Sequence, residues 1–138
     1  MRPTRGPHDD GCMKLSDLDA QFVGGWQPRQ FTPLDSVEGA QGLLFQCPSC
    51  AQGLERGSED GRNFIVGAHY VLCWFTSPRN APTVPAEEFP GPGRWSFTGD
   101  SIDTVTLSPS VNLDVHTDHN GDPHPCRWHG WVKNGEAT

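Results

Sequence analysis

No apolar run in this chain approaches the ~20 residues that a membrane-spanning helix needs. Residues 1–12 also lack the apolar block of a secretory signal, so the expectation is a soluble protein made in the cytosol. Basic residues are scarce: Lys and Arg number 10 against 17 Asp and Glu, a net charge of -7. A general basic surface for phosphate backbones is therefore disfavoured, and nucleic acid falls far down the list of partners. Hydrophobic residues are few as well, at 34%, while Gly (16) and Pro (13) are plentiful. Long helices and a large conventional core are both disfavoured, which points to a small, loop-rich, mainly β fold in need of a staple. No internal repeat is visible.

What is present is a set of 5 cysteines, at positions 12, 47, 50, 73 and 126. An odd number without a secretory signal argues against a full disulfide framework and for a metal site with spare thiols. Cys73 lies in an apolar run and reads as a buried thiol that packs like a small hydrophobe. Cys47-Pro-Ser-Cys50 is a C-x2-C pair, and Cys126-Arg-Trp-His129 is a C-x2-H pair further on. Two intervening residues let a tight turn aim both side chains at one point, and two such pairs complete a tetrahedron. Three thiolates and one imidazole suit zinc, so the expected metal ligands are Cys47, Cys50, Cys126 and His129. A thioredoxin-like redox pair is the rival reading of Cys47 and Cys50, but no βαβ pattern surrounds them. A Rieske cluster would need a histidine in each pair.

Residues 1–12 read as a flexible leader and residues 13–138 as one zinc-stapled domain. Ser16 has the form of a helix N-cap, and Leu18 and Phe22 fall at i and i+4, which predicts one short N-terminal helix of about two turns ending at Gly24 and Gly25. Residues 27–40 read as a connector, 42–46 as a strand entering the knuckle, and 51–62 as an exposed loop. Residues 63–76 read as two strand pieces broken at Gly67, 94–107 as a hairpin, and 116–125 as a polar loop. The last strand is expected at 128–133, closed by an Asn134-Gly135 turn. The fold class is thus mainly β, a small antiparallel β domain with a zinc knuckle.

Whether the site is closed decides between staple and catalyst, because four protein ligands leave a tetrahedral zinc no position for activated water. The expectation is a staple and no catalytic residue. His116, His119 and His124, with Asp118 and Asp122, could instead open the site or form a second one; an exposed acidic turn explains them better. Ser108 and Ser110 have no neighbouring base at a recognisable spacing, and turn chemistry accounts for them. The five tryptophans read mostly as packing around the metal.

Several stretches resemble a small family common in tailed bacteriophages and other mobile elements and often labelled "ammonia monooxygenase". They are Met13-Lys-Leu-Ser-Asp-Leu-Asp19, Gly42-Leu-Leu-Phe-Gln-Cys-Pro-Ser-Cys50, the strand from Trp95 through Ser108-Pro-Ser-Val111, and Trp128-His-Gly-Trp-Val-Lys-Asn-Gly135. The label itself fails on physical grounds, since that oxidase is a membrane copper enzyme. The resemblance implies a phage or mobile-element origin, a setting in the host cytoplasm or the virion, and metal ligation by Cys47, Cys50, Cys126 and His129. Three functions compete. The first is a structural or interaction module with protein partners such as phage structural proteins. The second is a zinc-dependent hydrolase with an open site. The third is a ubiquitin-like-pathway accessory factor of a defence or counter-defence system.

Overall fold

The computed structural model describes residues 13–27, 30–51, 55–60, 62–66, 68–85, 94–117 and 123–138. The expected leader, residues 1–12, lies outside them. The fold is mainly β, built of small antiparallel sheets with very little helix.

The chain enters on β1 (Met13–Lys14) and a single 3-10 turn at Leu15–Asp17, which has no side-chain cap. This turn is what remains of the predicted helix. Asp19 takes a left-handed φ of 51° and ends it at once. Asp19 is buried, and the Tyr70 hydroxyl donates to its Oδ2 at 2.6 Å. The chain then runs as β2 (Gln21–Gln27), so Phe22 and both glycines lie in a strand.

The principal sheet has the order β3-β2-β4-β7, where β3 is Gln30–Leu34, β4 is Gly42–Gln46 and β7 is Tyr70–Trp74. Part of the expected connector is therefore a strand. Pro33 is tolerated in β3 because β3 is the sheet edge, where one side of the backbone needs no partner. The apolar run of β4 is buried almost throughout, as a central strand requires. A one-turn helix α1 (Pro48–Ala51) follows it directly.

The two strand pieces expected over residues 63–76 are present as β6 (Arg62–Ile65) and β7. β6 pairs in a hairpin with β5 (Arg56–Glu59), turning through Asp60 at φ 55°, and β5 lies in the stretch expected as an exposed loop. The polar composition of β5 hid it, because a strand with most side chains in water has little apolar alternation to read. The expected hairpin is present as β8 (Ser96–Thr98) and β9 (Thr106–Ser108). β10 (Val111–Thr117) and β11 (Pro123–Gly130) form a long ladder where a polar loop was expected, while residues 118–122 lie outside the described ones. The chain ends in β12 (Val132–Lys133) and β13 (Glu136–Ala137), joined by Asn134 and Gly135 at φ 49° and 75°, as a tight hairpin turn demands.

The main core gathers Leu15, Leu18, Phe45, Ile65, Phe75, Val105, Leu107 and Val132, all nearly or fully buried. Trp128 joins it from β11, its ring edge-on to Phe45 at 5.9 Å. Cys73 is buried in the same core, and burial pushes its thiol well above the ordinary range, so it packs as an inert hydrophobe. Among the described residues no helix is long and apolar enough to cross a membrane.

Candidate functional site

Two constellations stand on either side of β11. The first is built at the end of β4. Gln46 is buried, and its side-chain amide is satisfied by the segment after β6: Nε2 donates to the carbonyls of Ile65 at 2.7 Å and Ala68 at 3.3 Å, and Oε1 accepts from the Ile65 amide at 2.7 Å. The Cys47 amide donates to the His69 carbonyl at 2.8 Å. These bonds deliver the His69 ring to the knuckle formed by Cys47, α1 and Cys50. The Cys50 Sγ and His69 Nδ1 are 3.3 Å apart, and the three ligand atoms of Cys47, Cys50 and His69 lie within 4.8 Å of one another. The edges of a tetrahedral zinc site with sulfur and nitrogen ligands measure about 3.6 to 3.8 Å. Two thiols, one imidazole and that spacing make a cluster that can hold a metal ion.

His69 has no counterpart in the expected ligand set. It lies nineteen residues beyond Cys50, a separation with no motif signature; the pairing of Gln46 with Tyr70 in the β4–β7 ladder, the Cys47–His69 backbone bond and the Gln46 clamp bring it in. The expected fourth ligand, His129, is not in this cluster. Cys126 and His129 belong to the regular strand β11, not to a tight turn, and positions three apart on a strand fall on opposite faces. Position 126 shares the face of buried Trp128, and β11 packs beside α1. The side chain of Cys126 lies outside the described residues, as do those of His116, His119, His124, Asp118 and Asp122.

The second constellation occupies the other face. Ser110 immediately precedes β10, and the ladder pairs Asn112 with His129. This register sets the Ser110 Oγ 3.1 Å from the His129 Nε2, at the exposed surface. The His129 ring stacks on Trp131, with centroids 5.5 Å apart and planes at 29°, which fixes its plane. The indole Nε1 of Trp95 donates to the Ser110 carbonyl at 3.2 Å, and the Ser96 hydroxyl donates to the Ser108 carbonyl at 3.3 Å. A neutral imidazole within hydrogen-bond reach of a serine hydroxyl is the pairing that makes serine a nucleophile. Sequence reasoning missed it, because nineteen residues separate the two and nothing in the text signals that a ladder will close the gap.

Residues 79–138 match the family model of BubE, described as a bacterial ubiquitination-like system serine protease. The matched segment contains both Ser110 and His129. It covers less than half of the chain and excludes Cys47, Cys50 and His69. No curated protein and no solved structure matches the chain. Nothing in the match bears on a phage or virion setting.

Proposed function

We propose that the chain is a serine hydrolase that cleaves amide bonds within a bacterial ubiquitination-like, defence-related system. One observation carries this reading: a serine hydroxyl lies 3.1 Å from an imidazole nitrogen inside the segment that matches a serine protease family. In the proposed reaction the Ser110 Oγ attacks the carbonyl carbon while the His129 Nε2 takes the hydroxyl proton. The imidazolium then gives that proton to the leaving amine as the carbon–nitrogen bond breaks. Water, activated by the same nitrogen, releases the acyl group and restores Ser110. A fluorophosphonate probe should label the protein, and Ser110→Ala or His129→Ala should lower the labelling rate at least about a thousandfold. Equal labelling of the Ser110→Ala protein would sink the proposal.

The same reading makes the metal cluster structural. The donor set of Cys47, Cys50 and His69 favours zinc, and we propose that Cys126 is the fourth ligand, since position 126 lies on the face that looks toward the core beside α1. Such a site would tie the knuckle to β11, the strand that carries His129. X-ray absorption at the zinc edge should report three sulfur neighbours and one nitrogen. A bound water in place of the third sulfur would overturn the assignment and favour an open, catalytic metal site.

A further inference from the structure

We infer that Trp95 is a positioning residue for the nucleophile, acting through the main chain at Ser110; the inference rests on the hydrolase reading of Ser110 and His129. Trp95 is only 5% exposed, yet its indole N–H reaches the carbonyl of the residue that carries the surface hydroxyl. Its own backbone is held on both sides. The Trp95 amide donates to the Trp74 carbonyl at 3.0 Å, and the Trp95 carbonyl accepts from the Thr76 amide at 2.9 Å. This parallel bridge between Phe75 and Trp95 joins the segment to the end of β7, in the middle of the core.

The neighbouring Ser96 hydroxyl holds the Ser108 carbonyl, so two consecutive residues grip the carbonyls on either side of Pro109. Pro109 has no N–H of its own with which to pin the segment. A peptide unit is planar, so pinning one carbonyl fixes the orientation of the whole Ser110–Val111 plane. With the plane fixed at 110 and the ladder fixed at Val111 and Gly130, the direction of the Ser110 Cβ is determined from both ends. The side-chain contact between Oγ and Nε2 then depends on a bond made by an indole in the core. Neither Trp95 nor its bond touches the reacting atoms, and a displacement of about 1 Å in a reacting group can lower a rate on the order of a hundredfold.

The test replaces the N–H alone. Trp95→β-(3-benzothienyl)alanine keeps the bicyclic shape and puts sulfur where the N–H was, and Trp95→Phe is the simpler companion, at the risk of a packing defect. With a fluorophosphonate probe, the benzothienyl variant should show a maximal inactivation rate about tenfold lower. Its half-saturating probe concentration should match the parent, and its melting temperature should fall by only a few degrees, as the loss of one hydrogen bond requires. Long-range proton–nitrogen spectra should move the His129 Nε2 signal toward its position in Ser110→Ala. An unchanged inactivation rate with unchanged His129 signals overturns the inference. If the parent protein itself is never labelled, the hydrolase reading fails; the His129 signals then still decide whether Trp95 holds Ser110 against the ring.

Discussion

A serine hydroxyl is a weak nucleophile until a base accepts its proton, so Ser110 gains its interest from the nitrogen beside it and from whatever keeps that nitrogen in place. Here one stacked ring, Trp131, sets the plane of His129, and one core indole orients the serine backbone. Gln46 performs the equivalent task for the metal cluster. Its amide satisfies three backbone groups of residues 65 and 68, directly ahead of His69. Gln46→Leu removes all three bonds; the Ile65 carbonyl keeps the Ala68 amide at 3.3 Å, but the Ile65 amide and the Ala68 carbonyl lose this partner, which should destabilise the fold by about 2 kcal/mol. It should also lower metal affinity, because the loop that presents His69 loses its anchor. Chemical denaturation with a parallel metal titration checks both, and an unchanged metal affinity would separate His69 from the site.

At the scale of elements, β11 does two jobs because a strand has two faces. The face of Trp128 looks inward, toward Phe45 and the knuckle, and the face of His129 looks outward, toward Ser110. This also explains which parts of the chain were legible in the sequence. Alternating β-branched and aromatic residues announced the β8–β9 hairpin, and Asn134 with Gly135 announced the last turn. The C-x2-C spacing announced a knuckle because a single turn closes it. Other features left no local mark. Leu18 and Phe22 mimic a helical pair, yet they flank Asp19, whose left-handed backbone prevents the helix. C-x2-H looks like a second knuckle only if it forms a turn; in a strand the same spacing divides the pair between two faces. Gly130 lies at the junction of these roles. A Cβ there would collide with the Thr138 carbonyl and come within 2.8 Å of the Trp128 ring. Gly130→Ala should therefore displace β11 or the last strand, costing about 2 kcal/mol and slowing probe labelling of Ser110 together with it. A variant with parental melting temperature and labelling rate would show that the strand end has slack.

For the whole molecule, the low hydrophobic content and the abundance of Gly and Pro set the terms. Small sheets and hairpins share one main core and a second small cluster around Val23, Trp74 and Val84, and a bound metal in such a fold can contribute about 10 kcal/mol to folding. Its place would be beside α1, where the knuckle, the loop ahead of β7 and the strand of the base converge. The architecture thus puts the Cys47–Cys50–His69 cluster on one face of a ladder and the Ser110–His129 pair on the other, with a core indole linking Ser110 to the main sheet. Activation of Ser110 by His129 is tested by peptide mapping with mass spectrometry after reaction of the folded protein with a fluorophosphonate. A single stoichiometric adduct on Ser110 that disappears in His129→Ala is expected; an unmodified Ser110, or an adduct that persists without His129, would overturn the reading.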